Sequence, residues 1–332
     1  MTCPTIVLLL TLVLSLLVAP LAADAQPPTH VPRIALLSGR RTPTPATPDA
    51  NAEAFRQGLR DLGYLEGTNI LVEYPYAEAR EDHIPRLVAD LVLKVDVLVS
   101  TSTTAILAAK QATTTIPIVM VTNVDPVATG IVESLARPGG NITGLTRLTR
   151  ELTGKRLELL QEVVPTLSRV GVLVDADSAA SATALQDYEA AARALKITLQ
   201  AVEVRSSNPD FEGAFHAAVQ ARVSALITVR SGLALTYRQQ IANLVIKHRL
   251  PSMSEGSDFV EAGGLMSYAA NDTESFKRAA YYVDKLLKGA KAADLPVEQP
   301  TTFELIINLQ TAEQLGLTMP PSLLFQAIKV IR

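Results

Sequence analysis

Residues 169–175 read RVGVLVD, and 136 positions earlier residues 33–38 read RIALLS. Both are short aliphatic, β-branched runs without polar alternation, the pattern of a parallel strand covered on both faces. After the first run a Pro/Thr-rich loop at 40–49 leads into an amphipathic helix near Asn51–Leu62, with Phe55, Leu59 and Leu62 on one face. Gly63 ends that helix. A strand at Asn69–Tyr74, a helix near Ile84–Leu93 and a strand at Val95–Ser100 follow. A helix from about Thr103 and a strand at Ile116–Thr122 complete the block. The second run opens the same order: helix Ser178–Leu195, strand Ile197–Val204, helix Phe211–Gln220, strand Val223–Val229, helix Leu235–His248. Strands alternating with helices of ten to fifteen residues build βαβ units around a parallel sheet. The expected fold class is therefore α/β, with two doubly wound parallel-sheet lobes.

Two glycine pairs punctuate the chain where such lobes would meet. Gly139-Gly140 stands in PGGNITG at 138–144, and Gly263-Gly264 in EAGGLMSY at 261–268. Each marks a tight turn, and each is expected to be a hinge segment absorbing the backbone change of lobe motion. A helix at Glu274–Leu287 and a strand at Phe303–Leu309 follow the second pair.

Ile6–Ala19 is an uncharged run dominated by Leu, Val and Ile, broken by Pro20 and followed by Ala23-Asp24-Ala25. This is the layout of a secretory signal peptide cleaved near Ala25, although no Lys or Arg precedes the apolar run. The run is shorter than the roughly 20 residues of a spanning helix. A periplasmic protein is expected, with 307 residues left after cleavage and 30 basic against 32 acidic side chains. That near-neutral balance, with no basic stripe, argues against a nucleic-acid partner or an anionic membrane surface. Cys3 is the single cysteine and lies in the leader, so the mature chain has no disulfide, thiol nucleophile or thiolate metal site. His30, His83, His216 and His248 have no metal-ligand spacing. No metal and no cofactor is expected.

Several stretches together resemble one family: AFRQGLRDLGYLEGTNILVEY (54–74), TIPIVMVTNVDPV (115–127), SLARPGGNITGLT (134–146), KRLELLQEVVP (155–165), FVEAGGLMSY (259–268) and QPTTFELIINLQTAEQLGL (299–317). They are similar to the substrate-binding proteins of ABC transporters, in the group that includes tryptophan- and tyrosine-uptake members. The resemblance implies a type I periplasmic-binding-protein fold, two lobes joined by three crossovers with ligand between them. It also implies delivery of that ligand to an ABC permease in the inner membrane. On this basis the lobes are expected at 26–142 plus about 270–298, and at 143–269 plus about 299–332, after a leader at 1–25.

Candidate binding residues lie where strands end, the place ligands occupy in open α/β sheets. Ser38 ends the first strand. Ser100, Ser102, Thr103 and Thr104 join a strand to a helix, where free N–H groups and hydroxyls suit an anion; a hydroxyl there also makes an ordinary N-cap. As a phosphate loop the stretch fails, having no glycine and no following lysine. Thr122, Asn123 and Asp125 end the next strand, and Asp125 reads equally as an ammonium acceptor or an Asp-Pro turn. Asp175 holds the equivalent place in the second lobe. Arg230 and Glu255 are expected at the cleft rim, and Tyr76 and Tyr268 either stack on a ligand ring or pack within a lobe. The mixed-charge helix Arg150–Glu162 reads as a solvated face that a permease could meet.

The preferred function is thus an exported, monomeric solute-binding component that takes a small amino acid-like ligand, and not an enzyme. The alternative is an exported α/β hydrolase, which would want a Gly-x-Ser-x-Gly elbow that the sequence lacks. A ligand-sensing regulator would want a helix-turn-helix ahead of residue 33, and none is present.

Overall fold

The computed structural model describes residues 30–45, 48–147 and 150–332; the leader expected at 1–25 lies outside them. Strand β1 (Arg33–Leu37) is the hub of the first sheet, flanked by β2 (Leu71–Glu73) and β3 (Val97–Ser100). The sheet continues through β4 (Ile118–Thr122) to β5 (Ile142–Thr146), in the order β2-β1-β3-β4-β5, all parallel. β3, β4 and β5 are buried along their whole length, which is why their sequences run apolar without alternating. β5 can join only because residue 144 is glycine. Its φ is +132°, and a Cβ there would lie 2.1 Å from the Met120 carbonyl oxygen of β4. The expected lobe boundary at 142 therefore falls too early, since β5 carries the first sheet to Thr146.

The second sheet is built from β6 (Arg169–Asp175), β7 (Thr198–Val204), β8 (Ala225–Thr228), β9 (Ser252–Ser254), β10 (Met266–Ala270), β11 (Phe303–Asn308) and β12 (Lys329–Ile331). Their order is β7-β6-β8-β9-β10-β11-β12, parallel except for β10 against β11. That exception follows from the path of the chain. After β10 the chain leaves for helix α10 (Asp272–Leu287), packed in the first lobe, and re-enters the second sheet from the same end at Phe303. The chain crosses three times, between Thr146 and Thr153, at 271 and at 299–302.

Helices cover both sheets. In chain order before α10 they are α1 (Ala50–Asp61), α2 (Ile84–Leu91), α3 (Thr103–Ala112), α4 (Thr153–Val163), α5 (Ala179–Leu195), α6 (Phe211–Gln220), α7 (Gly232–Thr236), α8 (Arg238–Lys247) and α9 (Ser257–Glu261). Phe55 and Leu59 of α1 meet Phe276, Ala279, Ala280 and Val283 of α10, all buried. The Phe, Leu and Val side chains among them contribute about 1.5–3 kcal/mol each when fully buried. Gly58 lets the two helices touch, because a Cβ there would lie 2.9 Å from Ala280 Cβ and from Lys277 Cα. Helix α4 corrects the expectation of a solvated face. Leu157, Leu159 and Leu160 are fully buried in the second lobe's core, and so is Arg156. Residues Pro32–Arg332 form one compact unit. No described helix is long and apolar enough to cross a membrane.

Candidate functional site

Strand carboxyl ends of both sheets face a cleft between the lobes with about 1070 Å³ of empty space, its mouth included. The first lobe contributes Ser38, Gly39, Arg40, Glu81, Thr101 to Thr104, Asn123 and Val124; the second contributes Ser178, Ala180, Ala184, Asp187, Val229 to Gly232, Leu235 and Glu255. Arg147 and Arg150 reach it from the first crossover, and Phe276 from α10. Seven of the residues expected from the sequence thus line it: Ser38, Ser102, Thr103, Thr104, Asn123, Arg230 and Glu255.

The β3–α3 turn behaves as its hydroxyl residues dictate. Ser102 is the N-cap, its Oγ accepting the Ala105 N–H at 3.3 Å. The cap leaves the Thr103 and Thr104 N–H groups and hydroxyls at the cleft, at the positive end of a ten-residue helix. Ser100 sits behind the lining, fully buried, donating to the Leu37 carbonyl and accepting from Ser102 N–H.

Charge in the cleft is mostly spoken for. Arg40 pairs with Asp49 at 3.1 Å, both nearly buried. Asp49 Oδ1 also caps α1 through Asn51 and Ala52 N–H, and its Oδ2 accepts the Tyr76 hydroxyl at 3.1 Å. Behind the cleft lining Asp272 lies between Arg147 (2.9 Å) and Arg230 (2.8 Å). Burial alone would raise the Asp272 carboxyl; the two guanidiniums hold it below its ordinary value. Arg147 donates further to the Val121 carbonyl and to Asn123 Oδ1, while Arg230 also pairs with Asp258 at 3.2 Å. Glu255 accepts the Arg230 backbone N–H on Oε2, and on Oε1 the Tyr188 hydroxyl and the Arg156 guanidinium.

Glu81 is different. Its Oε2 is buried with no hydrogen-bond partner among the described residues. Burial raises its carboxyl, a Thr104 hydrogen bond works the other way, and nearby Asp175 adds to the rise. An unsatisfied carboxylate oxygen costs free energy until a donor reaches it.

The remaining expected residues stand apart from the cleft lining, each for a local reason. Thr122 is buried, its Oγ1 accepting the Val124 N–H. Asp125 is a turn residue, its Oδ1 accepting the Val127 and Ala128 N–H groups. Asp175 lies beneath the surface with Oδ1 held by the Asp177 and Ser206 N–H groups, Oδ2 unpartnered, and its carboxyl raised by burial. Tyr76 stands behind Asp49. Tyr268 packs its ring 6.0 Å from Phe303 and gives its carbonyl to Arg156. The glycine pairs precede β5 and β10, at the ends of those strands away from the crossings. The backbone that passes between the lobes comes after each of these strands and not at Gly139, Gly140, Gly263 and Gly264. Arg40, Glu81, Arg147 and Phe276 escaped sequence reasoning. Only the strand-to-crossover position of Arg147, directly after TGLT at 143–146, offered a local signal.

Two parallel-sheet lobes, three crossovers and a cleft at the strand ends define a type I periplasmic-binding-protein fold. The chain belongs to the ABC transporter substrate binding protein family, whose model matches residues 45–331. A tyrosine-binding protein of Clostridioides difficile is 25% identical over 276 residues, which is 81% of this chain and 77% of the relative. A conserved domain protein of Vibrio cholerae superposes with a TM-score of 0.82 at 26% identity, over 91% of this chain and all of the other. An ABC domain from Streptococcus pneumonia, solved in complex with L-Trp, gives 0.80 at 23% identity over the same shares. Among the described residues no group of three or more His, Cys, Asp or Glu side chains is placed to hold a metal.

Proposed function

We propose that this chain is the extracytoplasmic solute-binding component of an ABC importer, capturing a small amino acid-like zwitterion in the inter-lobe cleft and passing it to an inner-membrane permease. One observation carries the choice of ligand: a hydroxyl- and N–H-rich helix start at Ser102–Thr104 and the unpartnered Glu81 carboxylate oxygen share one cleft. The first suits a ligand carboxylate; the second wants a donor such as an ammonium group. The ammonium role expected of Asp125 and Asp175 thereby passes to Glu81, with Asp175 reinforcing the negative potential from the second lobe. Ala180, Ala184, Val229, Leu235 and Phe276 give the same cleft an apolar side suited to an aromatic or aliphatic side chain. The ligands named for two of the similar proteins, tyrosine and L-Trp, fit this description. The apolar leader supports export from the cytoplasm, a monomer is part of the same proposal, and the exported-hydrolase alternative gains nothing from the family match.

The test is a thermal-shift screen of the mature protein against the common L-amino acids and their deaminated acids. A ligand at one hundred times its Kd stabilises by about 2.7 kcal/mol, easily seen as a rise in Tm. A rise with one or more amino acids and none with the matched deaminated acid is expected. Stabilisation by the deaminated acids alone would overturn the ammonium assignment.

A further inference from the structure

The two lobes touch across the cleft mouth at a point where one side chain would not fit. Gly39 follows β1 in the first lobe, and Gly232 opens α7 in the second; both line the cleft. A Cβ on Gly232 would lie 2.5 Å from the Gly39 carbonyl oxygen, far inside van der Waals contact. That oxygen cannot swing away freely, because it accepts the Ala79 N–H at 3.1 Å. Gly232 does not have the positive φ that would by itself call for glycine, and glycine is a poor helix former. The three atoms nearest to a Cβ there all belong to Gly39. The reverse does not hold: a Cβ on Gly39 would meet Ser102 Cβ at 3.8 Å and Gly232 Cα at 3.9 Å, ordinary contacts.

Two further contacts cross at the same place. Arg41 donates its backbone N–H to Thr236 Oγ1 at 3.1 Å and its guanidinium to the Tyr237 hydroxyl at 2.6 Å. The guanidinium carbon also lies 4.9 Å from the Tyr237 ring centroid. Tyr237 is braced from its own lobe by Phe211, 5.1 Å away. We propose that Gly39-Arg40-Arg41 of one lobe and Gly232–Tyr237 of the other form a latch that holds the cleft shut, with Gly232 kept small so that the backbones can meet. The latch rests on the cleft being the ligand site, but its closed contact can be measured without a ligand.

Spin labels at Asp90→Cys on α2 and Glu189→Cys on α5 of the mature protein report the inter-lobe distance; both positions are exposed. Wild type is expected to show a short-distance population, enlarged by L-tyrosine or L-tryptophan. Gly232→Ala should abolish that population while melting no earlier than wild type, since alanine suits the helix better. Gly39→Ala should keep it, and Tyr237→Phe should reduce it. A short-distance population in Gly232→Ala equal to wild type would overturn the latch, as would its absence from wild type under every condition. Closing that occurs in wild type but ignores every amino acid would leave the latch standing and remove the ligand assignment instead.

Discussion

Asp272→Asn is the most informative single substitution, because it removes one charge and no volume from a carboxylate that serves two buried guanidiniums. The side chains of Arg147, Arg230 and Asp272 are 4%, 6% and 12% exposed, and Asp272 is 2.9 and 2.8 Å from its partners. At an effective dielectric of about 20, two unit charges about 4 Å apart attract by about 4 kcal/mol gross. Desolvation and the mutual repulsion of the two arginines offset much of that. Breaking a buried pair by removing one partner costs about 3–5 kcal/mol, because the remaining charge stays uncompensated. Here two would be left, with Asp258 able to serve Arg230 only. The loss should lower Tm by on the order of 10 °C. The effect should also depend on pH. Asp272 has a folded pKa below its ordinary value, so its contribution is present above the unfolded carboxylate pKa and disappears as pH falls through the folded one. Wild type and variant should therefore converge in melting temperature at strongly acidic pH and differ most near neutrality. Thermal unfolding followed by circular dichroism across that range is the assay, with Lys329→Ala as control. That residue's pair with Glu261 is half exposed and should be worth no more than about 1 kcal/mol. A neutral-pH change in Tm under 2 °C for Asp272→Asn would refute the reasoning.

Replacing Ser102 and Thr103 together by Ala should weaken ligand binding by about 1–3 kcal/mol, the range for stranding a polar partner, as read by calorimetric titration. Amine ligands should bind more tightly as pH rises through the raised Glu81 pKa, since the acceptor must be ionised, and Glu81→Gln should flatten that pH profile. Asp125→Asn should leave affinity unchanged, because the carboxyl serves a turn; a loss comparable with that of Glu81→Gln would return Asp125 to the site. Small-angle scattering should show compaction on adding ligand, and an unchanged profile at saturation would remove the expectation that the lobes close on ligand.

The alternation of buried strands and amphipathic helices was legible because parallel strands covered on both faces carry a nearly continuous apolar signature, as in RVGVLVD. Besides the three-residue terminal strand β12, three strands were not. β5 reads ITGLT, β9 reads SMS and β10 reads MSYAA; their hydroxyls and small residues pass for loop, and long-range pairing alone makes them strands. Arg156 misled for a related reason. Its charge marks a surface helix by periodicity, yet Glu255 and Tyr188, 99 and 32 residues away in sequence, make its burial tolerable. In the cleft, residues at strand ends were found because topology puts them there. Glu81, Arg40 and Phe276 come from a loop or a distant helix, and nothing local distinguishes them from solvated charge or ordinary core. Asp125 and Asp175 show the converse, since a carboxylate at a strand end often satisfies backbone N–H groups of its own turn.

The most direct measurement is a calorimetric titration of the mature protein with L-tryptophan and L-tyrosine beside indole-3-propionate and 3-(4-hydroxyphenyl)propionate, which keep ring and carboxylate but lack the amine. The expected result is saturable binding of at least one amino acid, tighter than its deaminated partner by a factor of ten or more, with that preference lost in Glu81→Gln. Equal affinity for amino acid and deaminated acid, or a preference that survives in Glu81→Gln, would contradict the proposed zwitterion site.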